Sequence, residues 1–182
     1  MSSLQMAPTL GQQLERAVSA AMAQRLSGAL DPVARRVLLD GFRQVGADEG
    51  TVWIANPALG ELIPVLNSGA EEGSFLRKFR QPLDRGVISM VFLSGQAFCE
   101  NDVSQNSTHD RTIDTALSQV TAAMIAIPLF FANRPRGVVS CVRLGVGAFE
   151  VSHFREMQHC VAVIERLIDG SLLQNLLESD YS

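Results

Sequence analysis

The sequence predicts an α+β domain built on an antiparallel sheet. Three observations carry the prediction. Stripes of apolar residues at helical spacing lie near both ends of the chain. Between them, apolar runs of strand length come in two pairs, each joined by a turn of a few residues. Turns that short join antiparallel strands, because a parallel pair needs a crossover of a dozen residues or more. The two pairs are separated by a helix–turn–strand, VISMVFLSGQAFCENDV (87–103), and by the polar segment SQNSTHDRT after it.

The elements follow in order. Leu10, Leu14, Val18, Ala21, Met22 and Leu26 form one face of an amphipathic helix within residues 1–30, a candidate dimerisation element. Asp31 and Pro32 suit the start of a second helix, Asp as a cap and Pro in the first turn. Val33, Val37, Leu38, Phe42 and Val45 line it, and Gly46 suits its end. Residues 51–55 read as a strand, 56–60 as a turn and 61–67 as the returning strand, with Pro64 marking an edge or a bulge. Residues 71–79 read as a short helix with Phe75, Leu76 and Phe79 inward.

Gly86 opens the next helix, over 87–93, and Gly95 ends it. Residues 96–100 form a short strand, and Asn101-Asp102 a turn. Residues 104–118 are polar and irregular, with helical turns near 113–117. The runs 122–131 and 137–144 are buried strands by length and composition, joined by the turn at 133–136. A last helix spans about 151–177, with Phe154, Met157, Val161, Ile164, Leu167 and Ile168 along one stripe. That stripe is longer than a small sheet covers, so Met157, Val161, Ile164 and Ile168 are expected to face a second copy. Residues 31–170 are then the domain proper, and 171–182 the helix end and a polar tail.

Composition narrows the function classes. The chain has 182 residues, 47% hydrophobic and 19% charged, so it can bury an ordinary core without disulfides or metals. A net charge of -4 argues against nucleic acid, whose phosphates need a basic face. The three cysteines, Cys99, Cys141 and Cys160, are far apart and read as reduced thiols. No apolar run approaches the ~20 residues of a membrane span, and the N-terminus lacks the pattern of a signal peptide. A cytoplasmic location follows as an expectation.

Four pieces of the chain carry a resemblance. They are Gly86 with Ser94-Gly95-Gln96; Asp102-Val103; Ile125-Ala126-Ile127-Pro128-Leu129 followed by Gly137-Val138-Val139; and Phe149 before the final helix. In this order and spacing, over residues 38–168, the sequence resembles a GAF domain, the regulatory ligand-binding module of signalling proteins. The resemblance implies a twisted antiparallel sheet of about five or six strands. It implies terminal helices on one face, with short helices and a lid over a pocket on the other. Residues 104–118 would be the lid, and the function would be that of a sensor, with no enzymatic activity, passing a change through its terminal helices. The alternative is a dimerisation or protein-interaction module with a vestigial pocket.

The ligand residues expected on this basis are Trp53, Phe98, Asp102, Asn106, His109, Asp110, Arg111 and Met124. His109-Asp110-Arg111 is the densest polar cluster, suited to binding an anion through His and Arg or simply to facing solvent. The family's cyclic-nucleotide branch carries an Asn-Lys-Phe pattern; here the segment reads QNSTHDRTID, and Lys78 is the only lysine. A second branch reduces free methionine sulfoxide with cysteines, but Ile88 and Leu117 stand about where those would fall. A haem branch uses a lid His in a register different from that of His109. The ligand is therefore left unknown, with neither haem nor a metal expected.

Overall fold

The computed structural model describes residues 32–131 and 133–179, so the helix expected within 1–30 lies outside the described residues. Helix α1 spans Pro32–Gln44, and strands β1 and β2 span Glu49–Asn56 and Glu61–Asn67. Helix α2 (Glu72–Lys78), the short strand β3 (Gln81–Pro82) and helix α3 (Val87–Ser94) follow. Then come β4 (Phe98–Glu100), a 3-10 turn (Val103–Gln105) and α4 (Thr112–Leu117). Strands β5 (Thr121–Phe131) and β6 (Arg134–Leu144) lead to the long helix α5 (Val151–Ser179). The strands form one six-stranded sheet in the order β3-β2-β1-β6-β5-β4. Every pairing is antiparallel.

Alternation along the strands makes the two faces of the sheet distinct. Val52 and Ile54, Ile125, Ile127 and Leu129, and Val139 and Cys141 point to one face, where they pack with Leu38 and Phe42 of α1 and Met157, Val161 and Ile164 of α5. Trp53 and Ala55, Met124 and Ala126, and Val138 point to the other, where they meet Phe75 and Phe79 beside α2, Val87, Ile88 and Val91 of α3, and Val103. This is the expected arrangement of terminal helices on one side and short helices on the other.

Local features explain how the chain reaches it. Strand β1 begins two residues before the expected start, at Glu49, because Gly50 is a packing glycine rather than a stop. A Cβ there would lie 2.3 Å from Phe42 Cγ, so the missing side chain lets α1 seat its phenylalanine on the sheet. The bulge foretold by Pro64 is present: Val52 pairs with Leu66 and Trp53 with Pro64, leaving Val65 as the extra residue. Gly95 closes α3 in the left-handed conformation (φ 67°), and its amide bonds to Val91 O. Phe149 is buried, and Asn101 clamps its backbone in both directions. The Phe149 amide donates to Asn101 Oδ1 (2.7 Å), and Asn101 Nδ2 donates to Phe149 O (3.0 Å). The Asn-Asp step after β4 thus pins the entry to the last helix.

The stripe expected to form a dimer seam is used inside the protomer instead. Met157, Val161 and Ile164 are essentially inaccessible, at 0%, 2% and 1% exposure, and Ile168 packs half-buried against the same cluster. Strands β5 and β6 are eleven residues long and present an apolar face wide enough to occupy both helices. Helix α5 also packs tightly on α1: a Cβ at Gly41 would meet Cys160 Sγ at 2.8 Å.

Candidate ligand-binding site

A small cavity lies between the sheet and residues 109–119. Its floor is two cross-strand rows. Glu49, Val142 and Met124 form one row across β1, β6 and β5, and Thr51 and Ser140 form the next. Trp53, Phe75 and Gln81 wall one side, Val87 and Ile88 of α3 another, and His109, Asp110, Ile113, Asp114 and Gln119 form the roof. Its volume is about 50 Å³, room for about four waters, and it opens to solvent at the rim.

The roof is latched to the floor by one carboxylate. Asp114 Oδ1 accepts from the Thr121 hydroxyl (2.8 Å), and Oδ2 accepts from the Thr121 amide (3.0 Å). His109 Nε2 lies 3.1 Å from Asp114 Oδ2, and both side chains are largely buried. Burial pushes the Asp114 carboxyl up, but the bonds from His109 and Thr121 outweigh it and hold it below the usual carboxylate range. Asp110 is similar: burial raises it, while the Thr112 hydroxyl and amide, Arg85 and Gln81 bring it below its ordinary value. Arg85 Nε stands 3.2 Å from Asp110 Oδ2 at the rim.

Glu49 behaves in the opposite way. Burial pushes its carboxyl up, a hydrogen bond with Asn67 only partly offsets this, and the charges of Asp48 and Asp114 raise it further. Nearby, Asn67 Nδ2 donates to Thr51 Oγ1 (2.9 Å), and Trp53 Nε1 donates to Ser140 Oγ (3.0 Å). The floor is therefore organised by internal polar bonds around a carboxylate disfavoured in its charged form.

Four of the residues expected from the sequence line the cavity: Trp53, Met124, His109 and Asp110. Four do not. Phe98 packs into the apolar layer beside it. Asp102 accepts from Ser104 Oγ (2.8 Å), a turn role. Asn106 Nδ2 donates to Glu100 Oε2 of β4 (2.6 Å), tying the lid to that strand, and Arg111 Nη2 donates to Ser104 O (2.6 Å) within the lid. The reading missed Glu49, Thr51, Gln81, Thr121 and Ser140, and passed over Asp114. The signal for two of them was present: Thr51 and Ser140 are polar residues at the inward phase of otherwise apolar strands.

No protein-family model matches the chain, and no curated protein matches it in sequence. Solved structures match it in fold. The GAF domain of a phosphoenolpyruvate-protein phosphotransferase from Coxiella burnetii superimposes with a TM-score of 0.67 at 13% identity, over 88% of this chain and 95% of that one. The second GAF domain of DevS from Mycobacterium smegmatis gives 0.62 at 19% identity, over 80% and 96%. The protein has the GAF-domain fold.

Another structure of similar fold is the free methionine-R-sulfoxide reductase from Neisseria meningitidis in complex with its substrate (TM-score 0.57, 17% identity, over 91% of this chain and 95% of that one). In the present GAF fold none of the three cysteines lines the cavity. Cys99 pairs with Ile125 and so lies on the face of the sheet that carries α1 and α5, and partial burial raises its thiol. Burial also pushes Cys141 up, and burial together with the Glu156 charge pushes Cys160 up to about 11. Raised thiols carry little thiolate at neutral pH.

Proposed function

We propose that the protein is a sensory module. A small ligand occupies the cavity beneath residues 104–118, and the change is passed to the terminal helices. One observation carries the coupling. Arg35 of α1 grips Glu72 of α2 with both guanidinium nitrogens, Nη1 to Oε1 at 3.0 Å and Nη2 to Oε2 at 2.8 Å. Phe75, one turn further along α2, lines the cavity. A ligand that shifts Phe75 therefore moves the element to which a terminal helix is tied. Glu72 Oε1 also accepts from the Asn67 amide (3.3 Å), adjoining the bond network of Thr51 and Glu49.

The sheet offers a second route, since Val52 and Ile54 touch the helices while Trp53 between them lines the cavity. GAF domains of sensory and regulatory proteins share this fold, among them a segment of a methyl-accepting chemotaxis protein. Among the described residues no helix is long and apolar enough to cross a membrane, and a cytoplasmic location is part of the proposal. Self-association as a homodimer is a second part. It is favoured by Val163 and Leu167, large apolar side chains that α5 leaves exposed one turn apart.

Thermal-shift screening with cyclic nucleotides, amino acids, small amines and small carboxylic acids tests the binding. At least one compound raises the melting temperature of the unmodified protein and fails to do so in Asp114→Ala. A panel with no stabilising member overturns the reading.

A further inference from the structure

We propose that the cavity takes a small organic ammonium group, with the Glu49 carboxylate as its counter-ion and Trp53 and Phe75 as aromatic walls. The inference rests on the cavity being a ligand site and adds the charge and size of what enters it.

The polar atoms of the lining decide the charge. Several of its N–H and O–H donors are already engaged. Gln81 Nε2 donates to the carbonyls of Arg85 (2.8 Å) and Pro82 (3.4 Å). Trp53 Nε1 is held by Ser140, the Thr121 hydroxyl by Asp114, and His109 Nε2 by the same carboxylate. Among the described residues, no Lys or Arg lines the cavity. An entering anion would meet three carboxylates, Glu49, Asp110 and Asp114, and no cationic side chain among the described lining residues. The acceptors are in a different condition. Asp110 has Arg85, and Asp114 has His109 and Thr121. Glu49 has only the amide of Asn67 as a side-chain partner, and no cation is paired with it among the described residues.

A half-buried carboxylate without a counter-ion beside aromatic surface is complementary to an ammonium. Its N–H groups would meet the carboxylate, and its carbon substituents would lie against the rings. Trp53 and Phe75 meet edge to face, with ring centroids 5.9 Å apart, which fixes that wall. The volume of about 50 Å³ suits a small head group.

Trp53 is the only tryptophan of the chain, so its fluorescence reports the cavity directly. The full chain is titrated at constant ionic strength with methylammonium, dimethylammonium and ethanolammonium chlorides, with sodium acetate, and with acetamide. The expected result is a saturable change with the ammonium salts and none with acetate or acetamide. Glu49→Gln, which keeps the side chain's shape, weakens ammonium binding by about tenfold or more. Glu156→Gln, exposed on α5 and outside the lining, leaves it unchanged. The comparison of salts on the unmodified protein does not depend on any variant folding. A saturable response to acetate or acetamide but not to ammonium overturns the charge assignment and leaves the cavity standing as a ligand site. Full ammonium affinity in Glu49→Gln overturns the role of Glu49. No saturable response to any of the probes, together with a thermal-shift panel in which nothing stabilises, overturns both readings.

Discussion

Replacing Asp114 with alanine should unlatch the roof of the cavity. The carboxylate holds two bonds to Thr121 and one to His109, in a largely buried position. A hydrogen bond to a charged group contributes about 1.5–3 kcal/mol, but the alanine also removes the cost of burying the charge, and the Thr121 groups regain water through the open rim. The net loss expected is about 2–3 kcal/mol, or about 4–12 °C in melting temperature for a domain of this size. Urea unfolding at neutral pH measures it, and hydrogen exchange shows where it falls. Exchange should rise over 104–121 and remain protected in β5 and β6.

The pH dependence supplies an independent check. The folded pKa of Asp114 is depressed, so its stabilisation is present above the ordinary value near about 3.9 and is lost as pH falls through the lower folded value. The gap between Asp114→Ala and the unmodified protein should therefore narrow in acid. A loss under about 0.5 kcal/mol at neutral pH, or lid exchange identical in the two proteins, would refute the latch.

Glu49→Gln should raise the melting temperature at neutral pH. The folded carboxyl is raised, so its protonated form favours folding below the ordinary value, and that advantage is lost as pH rises through the folded pKa. The benefit of the substitution should vanish below about pH 4, and thermal melts across pH read it out. Arg35→Ala should cost at most about 1 kcal/mol by urea unfolding, because the Arg35–Glu72 pair is partly exposed. Its main effect should be on coupling between cavity and helix. Ile164→Asp should lose the near-ultraviolet signal of the folded protein, since it places an unpaired charge in a site 1% exposed; a folded but monomeric variant would contradict the packing of α5.

The sequence was most informative where one period ran uninterrupted. The strands 122–131 and 137–144 and the first hairpin are close to their observed positions, because each has a buried face that fixes its phase. Strand β3 was missed, because two residues paired only as Glu61–Pro82 and Leu62–Gln81 carry no pattern of their own. The site was half legible. His109 and Asp110 stand out in a polar run, but Asn106 and Arg111 look equally functional in sequence and are turned to structural bonds, with Glu100 of β4 and with the Ser104 carbonyl. Only the fold distinguishes them. Glu49 was hidden for a different reason: beside Asp48 and Gly50 it reads as part of a turn, and its role depends on β1 reaching two residues further to lie beside Val142. The α5 stripe misled because its length was compared with a small sheet, whereas two eleven-residue strands and α1 share it.

The central claim is that the cavity and the first helix respond together. Hydrogen exchange over 104–118 and 32–44 tests this most directly, measured with and without a panel compound that raises the melting temperature. The account predicts that both segments slow in the unmodified protein, and that in Glu72→Gln the lid still slows while the response of 32–44 is reduced to what the sheet carries. Protection confined to the lid in the unmodified protein would contradict it.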